Sequence, residues 1–188
     1  MIENLFKKNH FKNLNFKNPL LITLFIFFIS FKINFSKASD NLINFKLGEE
    51  KLPVTTLQDI NKNKFNLNDL DSKNLIINFW ATWCLPCLEE MPSLLSFSKQ
   101  IDKNEILIVL VNLDRKFNLD KSKYNFDLPN IVSLYDPSSI WAKALKISGL
   151  PTTLFVHKNQ KIYSTFTGPL EWTDKEITNE IYEHFGLN

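Results

Sequence analysis

The sequence contains few of the residues that usually bind metals. Its 188 residues include only two cysteines, Cys84 and Cys87, and three histidines that lie far apart along the chain. A zinc site built on a C-x-x-C pair normally needs a second pair of Cys or His ligands, which this chain lacks. A purely structural disulfide between these positions would close a very short loop and restrict the unfolded chain little. The spacing therefore favours a redox-active cysteine pair.

Most of the chain has no excess of positive charge. The formal net charge is +2, but residues 1–38 hold six lysines against one glutamate, which leaves 16 basic and 19 acidic residues in the remainder. A mildly acidic body has no electrostatic footprint for a phosphate backbone. Nucleic acid is therefore not an expected partner.

The chain also lacks an apolar run that clearly spans a bilayer. Residues 20–31 form an uncharged apolar run, preceded by four lysines and followed by Ser36-Lys37-Ala38. As a helix it would reach only ~18 Å, against a hydrocarbon core of ~30 Å. This pattern predicts a signal peptide over residues 1–38, with a retained membrane anchor as the alternative. In both cases the lysines keep the N-terminus cytoplasmic and send the body to the periplasm or the outer face of the membrane.

Residues 39–51 carry few structural signals and are predicted to be a tether, which leaves 52–188 as a single domain. Apolar runs and turn residues in that domain alternate as strands and helices do in α/β proteins. The order implies a mixed central sheet with helices on both sides. The predicted elements are strands 54–57, 65–67, 75–80 and 106–113, helices 86–101 and 136–145, strands 153–157 and 162–167, and a helix from the capping-box spacing at 173–176 to Phe185.

The cysteine pair lies where a buried strand is predicted to end and a helix to begin. Unpaired amide groups and the helix dipole at that point favour negative charge, so Cys84 is expected to ionise more readily than a free thiol. Its thiolate would attack a partner disulfide, and Cys87, one helical turn later, would resolve the mixed disulfide. The redox-active disulfide would need no added cofactor or metal.

The segment WATWCLPCLEEMP, residues 80–92, resembles the active-site signature of the TlpA/ResA-like thiol:disulfide oxidoreductases of the thioredoxin superfamily. The similarity runs from about residue 52 to the end and includes LPVTTL and GLPTT. It implies a thioredoxin fold with an added N-terminal β-hairpin. It also implies a cis peptide bond at Pro151, facing the cysteines, with Leu150 and Thr152 beside the bound partner.

Two further residues near the cysteines are candidate site residues. Glu90 follows Cys87 by three positions, and the resemblance supports a role in proton transfer; the alternative is a carboxylate in the first helical turn, stabilised by the dipole. Trp83 is expected to contact the substrate, whereas Trp80 is expected in the core. No Lys, Arg or His is close to the cysteines in sequence. Cys84 should therefore ionise only moderately, which favours a reductase over a strong oxidant.

The resulting expectation is an extracytoplasmic protein-disulfide reductase. The resemblance implies that its partners are oxidised cysteine-containing proteins, for example apocytochrome c before haem attachment. A membrane disulfide reductase would serve as electron donor. Two alternatives stay open: reduction of the copper-site cysteines of an oxidase, and a non-catalytic binding module on a thioredoxin scaffold.

Overall fold

A computed structural model describes residues 43–48, 52–59, 61–67, 73–116, 124, 126–158 and 163–187. The predicted leader, residues 1–38, lies outside the described residues, as does most of the predicted tether. Residues 41–188 form one compact unit. Within the described ranges, no helix has the length and apolar character needed to cross a membrane.

The described residues form one eight-stranded sheet with three helices. The strands lie in the order β1-β8-β7-β4-β5-β6-β2-β3. Neighbours β4, β5 and β6 run parallel, whereas the other pairs are antiparallel. The sheet is therefore mixed, as predicted. The bounds are β1 Lys46–Leu47, β2 Leu57–Asp59, β3 Lys64–Phe65, β4 Asn74–Trp80, α1 Leu85–Ser98, β5 Ile106–Asn112, β6 Ile131–Tyr135, α2 Ile140–Ala144, β7 Thr152–Val156, β8 Tyr163–Thr167 and α3 Lys175–Phe185.

Strands β4 and β5 are central because their sequences are apolar at nearly every position. All seven residues of each strand are buried. Alternate side chains enter two cores: Ile76 packs with α1 and α3 on one face, and Ile77 packs with α2 on the other. A strand covered on both faces is expected to read as a continuous apolar run. The central strand thus presents its carboxyl end, and the loop that follows, between two helical layers.

Helix α1 continues through Pro92. Proline has no amide hydrogen, so the carbonyl of Leu88 four residues earlier loses its usual helical donor. The hydroxyl of Tyr124 donates to that carbonyl oxygen at 3.3 Å. A side chain from outside the helix therefore satisfies the carbonyl that proline leaves open.

The predicted tether is wrong for residues 43–48, which belong to the folded domain. Strand β1 pairs with β8, Ile43 is fully buried, and its amide donates to Oε2 of Glu180 at 2.8 Å. The ring of Phe45 stacks on His184 with centroids 4.0 Å apart. These contacts join residues that are distant in sequence, so no local sequence pattern predicts them.

Four other details differ from the sequence-based expectation. Strand β6 was not predicted, and it inserts between β5 and the hairpin. The predicted hairpin is confirmed, but its strands pair through Leu57 with Phe65 and Gln58 with Lys64. Helix α2 begins at Ile140 rather than Asp136, because Asp136 caps it from outside. In α3 the capping side chain is Asp174, one residue after the predicted cap.

Candidate active site

Cys84 and Cys87 form a disulfide at the start of α1. Their sulfurs are 2.08 Å apart. Cys84 is the N-cap residue of the helix, and its sulfur accepts the amide hydrogen of Cys87 at 3.3 Å. A helix N-terminus offers unpaired amides to a negative group, so the helix favours charge on the first sulfur. The predicted position of the pair is confirmed.

The two sulfurs differ in exposure. Cys84 is 5% exposed and lies in the wall of a surface groove of about 1160 Å³, whereas Cys87 is fully buried behind it. Trp83 and Leu85, on either side of Cys84, are 71% and 66% exposed and also line the groove. An incoming disulfide can therefore meet Cys84 first, on a partly apolar surface. This asymmetry matches the predicted nucleophile and resolving residue.

The loop before β7 forms another part of the groove. The Leu150–Pro151 peptide bond is cis, as the resemblance implies. Leu150 lines the groove together with Cys84. Pro151 and Thr152 are buried, and the hydroxyl of Thr152 donates to the carbonyl oxygen of Gly149 at 2.8 Å. Thr152 therefore supports the loop from beneath, and its predicted place beside a bound partner stays a prediction.

The loop between β4 and α1 is held by polar residues that the sequence analysis missed. The buried carboxylate of Asp114 accepts the amide hydrogen of Thr82 at 3.2 Å. Asn112 donates to the same carboxylate at 3.0 Å, and its own side-chain oxygen accepts from the Asp114 amide at 3.0 Å. Asn112 is the last residue of β5 and Asp114 lies two positions later. The carboxyl ends of parallel strands meet at one edge of a sheet. Their position at the carboxyl end of β5 was the sequence signal that could have identified them as residues near the site.

Glu90 lies one helical turn beyond Cys87 and is 3% exposed. Its Oε1 accepts from Nδ2 of Asn78 at 2.9 Å. Its Oε2 accepts the amide hydrogen of Leu170 at 2.9 Å and that of the Trp172 indole at 3.4 Å. The carboxylate thus joins α1 to β4 and to the loop before α3. Leu170 and Trp172, which supply two of these donors, are both buried.

Burial raises the pKa of the Glu90 carboxyl above its ordinary value, and the hydrogen bonds from Leu170, Asn78 and Trp172 oppose part of that rise. Desolvation disfavours the charged form, whereas donors aimed at the oxygens favour it. Neither Glu90 nor Glu89 lies in the first turn of α1, which starts at Leu85. The alternative role for Glu90, as a first-turn carboxylate stabilised by the dipole, is therefore wrong.

Trp80 and Trp83 differ in exposure, as predicted. Trp80 is fully buried in the core, and its ring lies 5.7 Å from that of Phe126. Trp83, three residues later, is exposed at the groove. The site thus has one structural and one accessible tryptophan beside the same loop.

Cations line the groove although none is near the cysteines in sequence. Arg115 and Lys116 follow β5, Lys143 lies in α2, and Lys146 follows that helix. The lack of cations near the cysteines in sequence therefore does not extend to the groove that Cys84 lines. Residues from two separate segments reach the groove through the fold, and sequence spacing around the cysteines could not show this.

Comparison with known proteins agrees with this geometry. The model of the Redoxin family matches residues 47–181. The chain belongs to the Redoxin family. Within that family, it is 31% identical over 125 residues to the thiol-disulfide oxidoreductase ResA of Geobacillus thermodenitrificans, which covers 65% of this chain and 70% of the relative. The resemblance to ResA-like proteins is thus confirmed.

Two solved structures share the fold of this Redoxin family member. One is assigned as the thiol:disulfide interchange protein DsbE of Chlorobium tepidum, with a TM-score of 0.60, 24% identity, and coverage of 74% of this chain and 98% of that one. The other is the exposed lipoprotein thioredoxin Etrx1 of Streptococcus pneumoniae, with a TM-score of 0.55, 22% identity, and coverage of 69% and 98%. The thioredoxin fold is confirmed. Together with the ResA relative and the Cys84–Cys87 pair, it identifies the chain as a thiol:disulfide oxidoreductase.

Proposed function

We propose that the protein is exported and reduces disulfides of partner proteins outside the cytoplasm. The observation that carries this proposal is the unequal placement of the sulfurs, with Cys84 in the groove and Cys87 buried behind it. A protein disulfide can reach the sulfur of Cys84. The sulfur of Cys87 then reacts only with the mixed disulfide that Cys84 has formed. The basic, apolar leader of the sequence supports export.

The exchange conserves atoms and electrons. The Cys84 thiolate attacks one sulfur of the partner disulfide, forms a mixed disulfide and expels the other partner sulfur as a thiolate. Cys87, as a thiolate, attacks Cys84, and the second partner sulfur leaves. Two electrons pass to the partner, which gains two thiols, and the protein keeps the Cys84–Cys87 disulfide. A membrane disulfide reductase would return the electrons by the reverse exchange.

Glu90 is proposed to accept the proton that Cys87 loses when it becomes nucleophilic. A carboxylate offers about four lone-pair positions, and the three hydrogen bonds to Glu90 leave one for a proton. Its raised pKa suits a group that gains and loses a proton nearer neutral pH than an exposed glutamate does. Thiol reactivity measured against pH should shift for Cys87 in Glu90→Gln and stay unchanged in Glu89→Gln. Superimposable curves for native protein and Glu90→Gln would reject the role.

The proposed partners are oxidised cysteine pairs that must be reduced before a metal or haem binds, such as those of apocytochrome c. The cations in the groove remove the sequence-based reason to expect weak ionisation of Cys84. The reductive direction therefore rests on the resemblance to ResA-like proteins and on the inferred export. A reductase of this kind should have a reduction potential of about −250 mV or lower, closer to thioredoxin than to strong oxidants. Equilibration with a reference dithiol measures it.

The decisive experiment is a trap in cells. Cys87→Ser should accumulate mixed disulfides with partner proteins through Cys84, because the resolving sulfur is absent. The control is the double variant Cys84→Ser/Cys87→Ser, which should capture nothing. Non-reducing electrophoresis and mass spectrometry identify the captured chains. Absence of any linked partner would favour a binding module, and capture of cytoplasmic proteins alone would contradict export.

A further inference from the structure

Positively charged residues line the groove beside Cys84. Arg115, Lys116, Lys143 and Lys146 line it, and all four residues are exposed. The carboxylate in the lining is that of Asp114, which is buried and accepts the amide hydrogen of Thr82. Its oxygens also accept from the side-chain amide of Asn112 at 3.0 Å, so the carboxylate is engaged within the protein. Among the described lining residues, the exposed charges are therefore those of four cations, of which Lys143 also donates to the carbonyl oxygen of Ser138 at 3.0 Å.

This concentration of positive charge does not reflect a basic body. Residues 39–188 contain 16 basic and 19 acidic residues, so their net charge is negative. Arg115 is also the single arginine of the chain. Clefts lined by charge of one sign attract ligands of the opposite sign and raise association rates by about 10- to 1000-fold. The charge is thus local to the site of disulfide exchange.

The apolar part of the groove lies next to the sulfur. Trp83 and Leu85 are the largest exposed apolar side chains flanking Cys84. An extended segment whose cysteine lies at Cys84 would place one neighbouring residue on this apolar surface. Residues further along the segment would reach the cationic side, where arginine binds a carboxylate through two hydrogen bonds and lysine acts as a point charge.

We propose that the groove selects partner segments in which the disulfide is flanked by aspartate or glutamate. This inference rests on the proposed function and adds the charge of the substrate to it. The occupant is a protein segment, held by cations on one side and by Trp83 and Leu85 beside the reacting sulfur. The exchange reaction itself is unchanged, and the cations act on recognition and association rate.

The test uses two synthetic peptides, each with one internal disulfide, which differ only in having four aspartates or four lysines around the cysteines. The reduced full chain is mixed with each peptide. Tryptophan fluorescence follows the oxidation of the full chain and gives its rate constant. We expect the acidic peptide to react about tenfold faster at 20 mM salt and about twofold faster at 0.5 M, because salt screens exposed charges.

The ratio between the two peptides is the diagnostic quantity, since misfolding or altered thiol reactivity changes both rates together. The double variant Arg115→Gln/Lys116→Gln should reduce the tenfold ratio to about threefold. The control Lys99→Gln/Lys103→Gln removes two lysines that do not line the groove and should keep the native ratio. Equal rates for both peptides, or equal losses in both variants, would overturn the inference while leaving the oxidoreductase activity in place. Failure to react with either peptide or with the neutral bis(2-hydroxyethyl) disulfide would overturn the activity and the inference together.

Discussion

Replacement of the buried Glu90 by alanine should destabilise the protein strongly. The amide of Leu170, now 2.9 Å from Oε2, would lose its acceptor inside the core. An unsatisfied buried donor costs about 1–3 kcal/mol. Asn78 keeps a second acceptor, Oγ1 of Thr153 at 3.1 Å, and Trp172 donates to Glu90 at 3.4 Å, so each of these losses should be smaller. We expect a total decrease of about 2–4 kcal/mol in the free energy of unfolding.

Glu90→Gln tests the same network with nearly the same shape. Among the described residues, Oδ1 of Asn78 has no hydrogen-bond partner. Rotation of the Asn78 amide would let that oxygen accept from the introduced amide, while the introduced oxygen continues to accept from Leu170. We therefore expect a loss of only about 1 kcal/mol. Urea unfolding of the oxidised protein at pH 7, followed by tryptophan fluorescence, measures both variants, and Glu89→Ala is the exposed control.

The pH dependence gives an independent measurement. Burial raises the pKa of Glu90 in the folded state above its value of about 4.3 in the unfolded chain. Its contribution to stability is therefore fully present below the unfolded value and is lost as pH rises through the folded pKa. The unfolding free energy of the native protein should fall more steeply over this interval than that of Glu90→Gln. Equal slopes, or a cost below about 1 kcal/mol for Glu90→Ala, would refute the reasoning.

Three further changes probe the scaffold. Asp136→Ala removes the cap that accepts two amides of α2 at 2.7 and 2.9 Å, and should lower the unfolding free energy by about 2 kcal/mol in urea titrations. Gly48→Ala would place a Cβ 2.1 Å from the Tyr163 ring, so hydrogen exchange at the position-48 amide should accelerate. Burial and the nearby His157 lower the pKa of His184, so stability is lost as pH falls below about 6.5. The melting temperature should drop less between pH 7.5 and 5.5 in His184→Phe, and equal drops would contradict this origin.

The sequence predicts the centre of the fold and the reacting pair well. Strands β4 and β5 are continuous apolar runs, and Cys84 lies where the first of them meets a helix, so both signals are local. The three-residue spacing from Cys87 to Glu90 likewise predicts a shared helix face. The spacing does not predict which groups donate hydrogen bonds to Glu90. Leu170 and Trp172 lie in a loop that is distant in sequence. The position of this loop next to Glu90 depends on the packing of α3.

The edges of the sheet and the charge of the groove were not predictable in the same way. Strand β1 has two residues, and its position depends on pairing with β8 and on the contact between Phe45 and His184. Local sequence windows carry no such information. Lys143 and Arg115 lie far apart in sequence and line the same groove only because the fold places α2 and the segment after β5 beside it. Their role follows from topology rather than from any motif.

The two outermost strands, β1 and β3, also affect how the protein meets other chains. Each has only two residues, so in the part of the chain that the structure describes these two strands offer only a short row of open backbone groups to an extended polypeptide. Long open flanks invite aggregation by strand addition. A thiol:disulfide oxidoreductase that exchanges disulfides with other polypeptides benefits from this restriction, because extended segments find little open strand to pair with. Other chains would then add backbone contacts at the loop beside Cys84 rather than along a flank of the sheet.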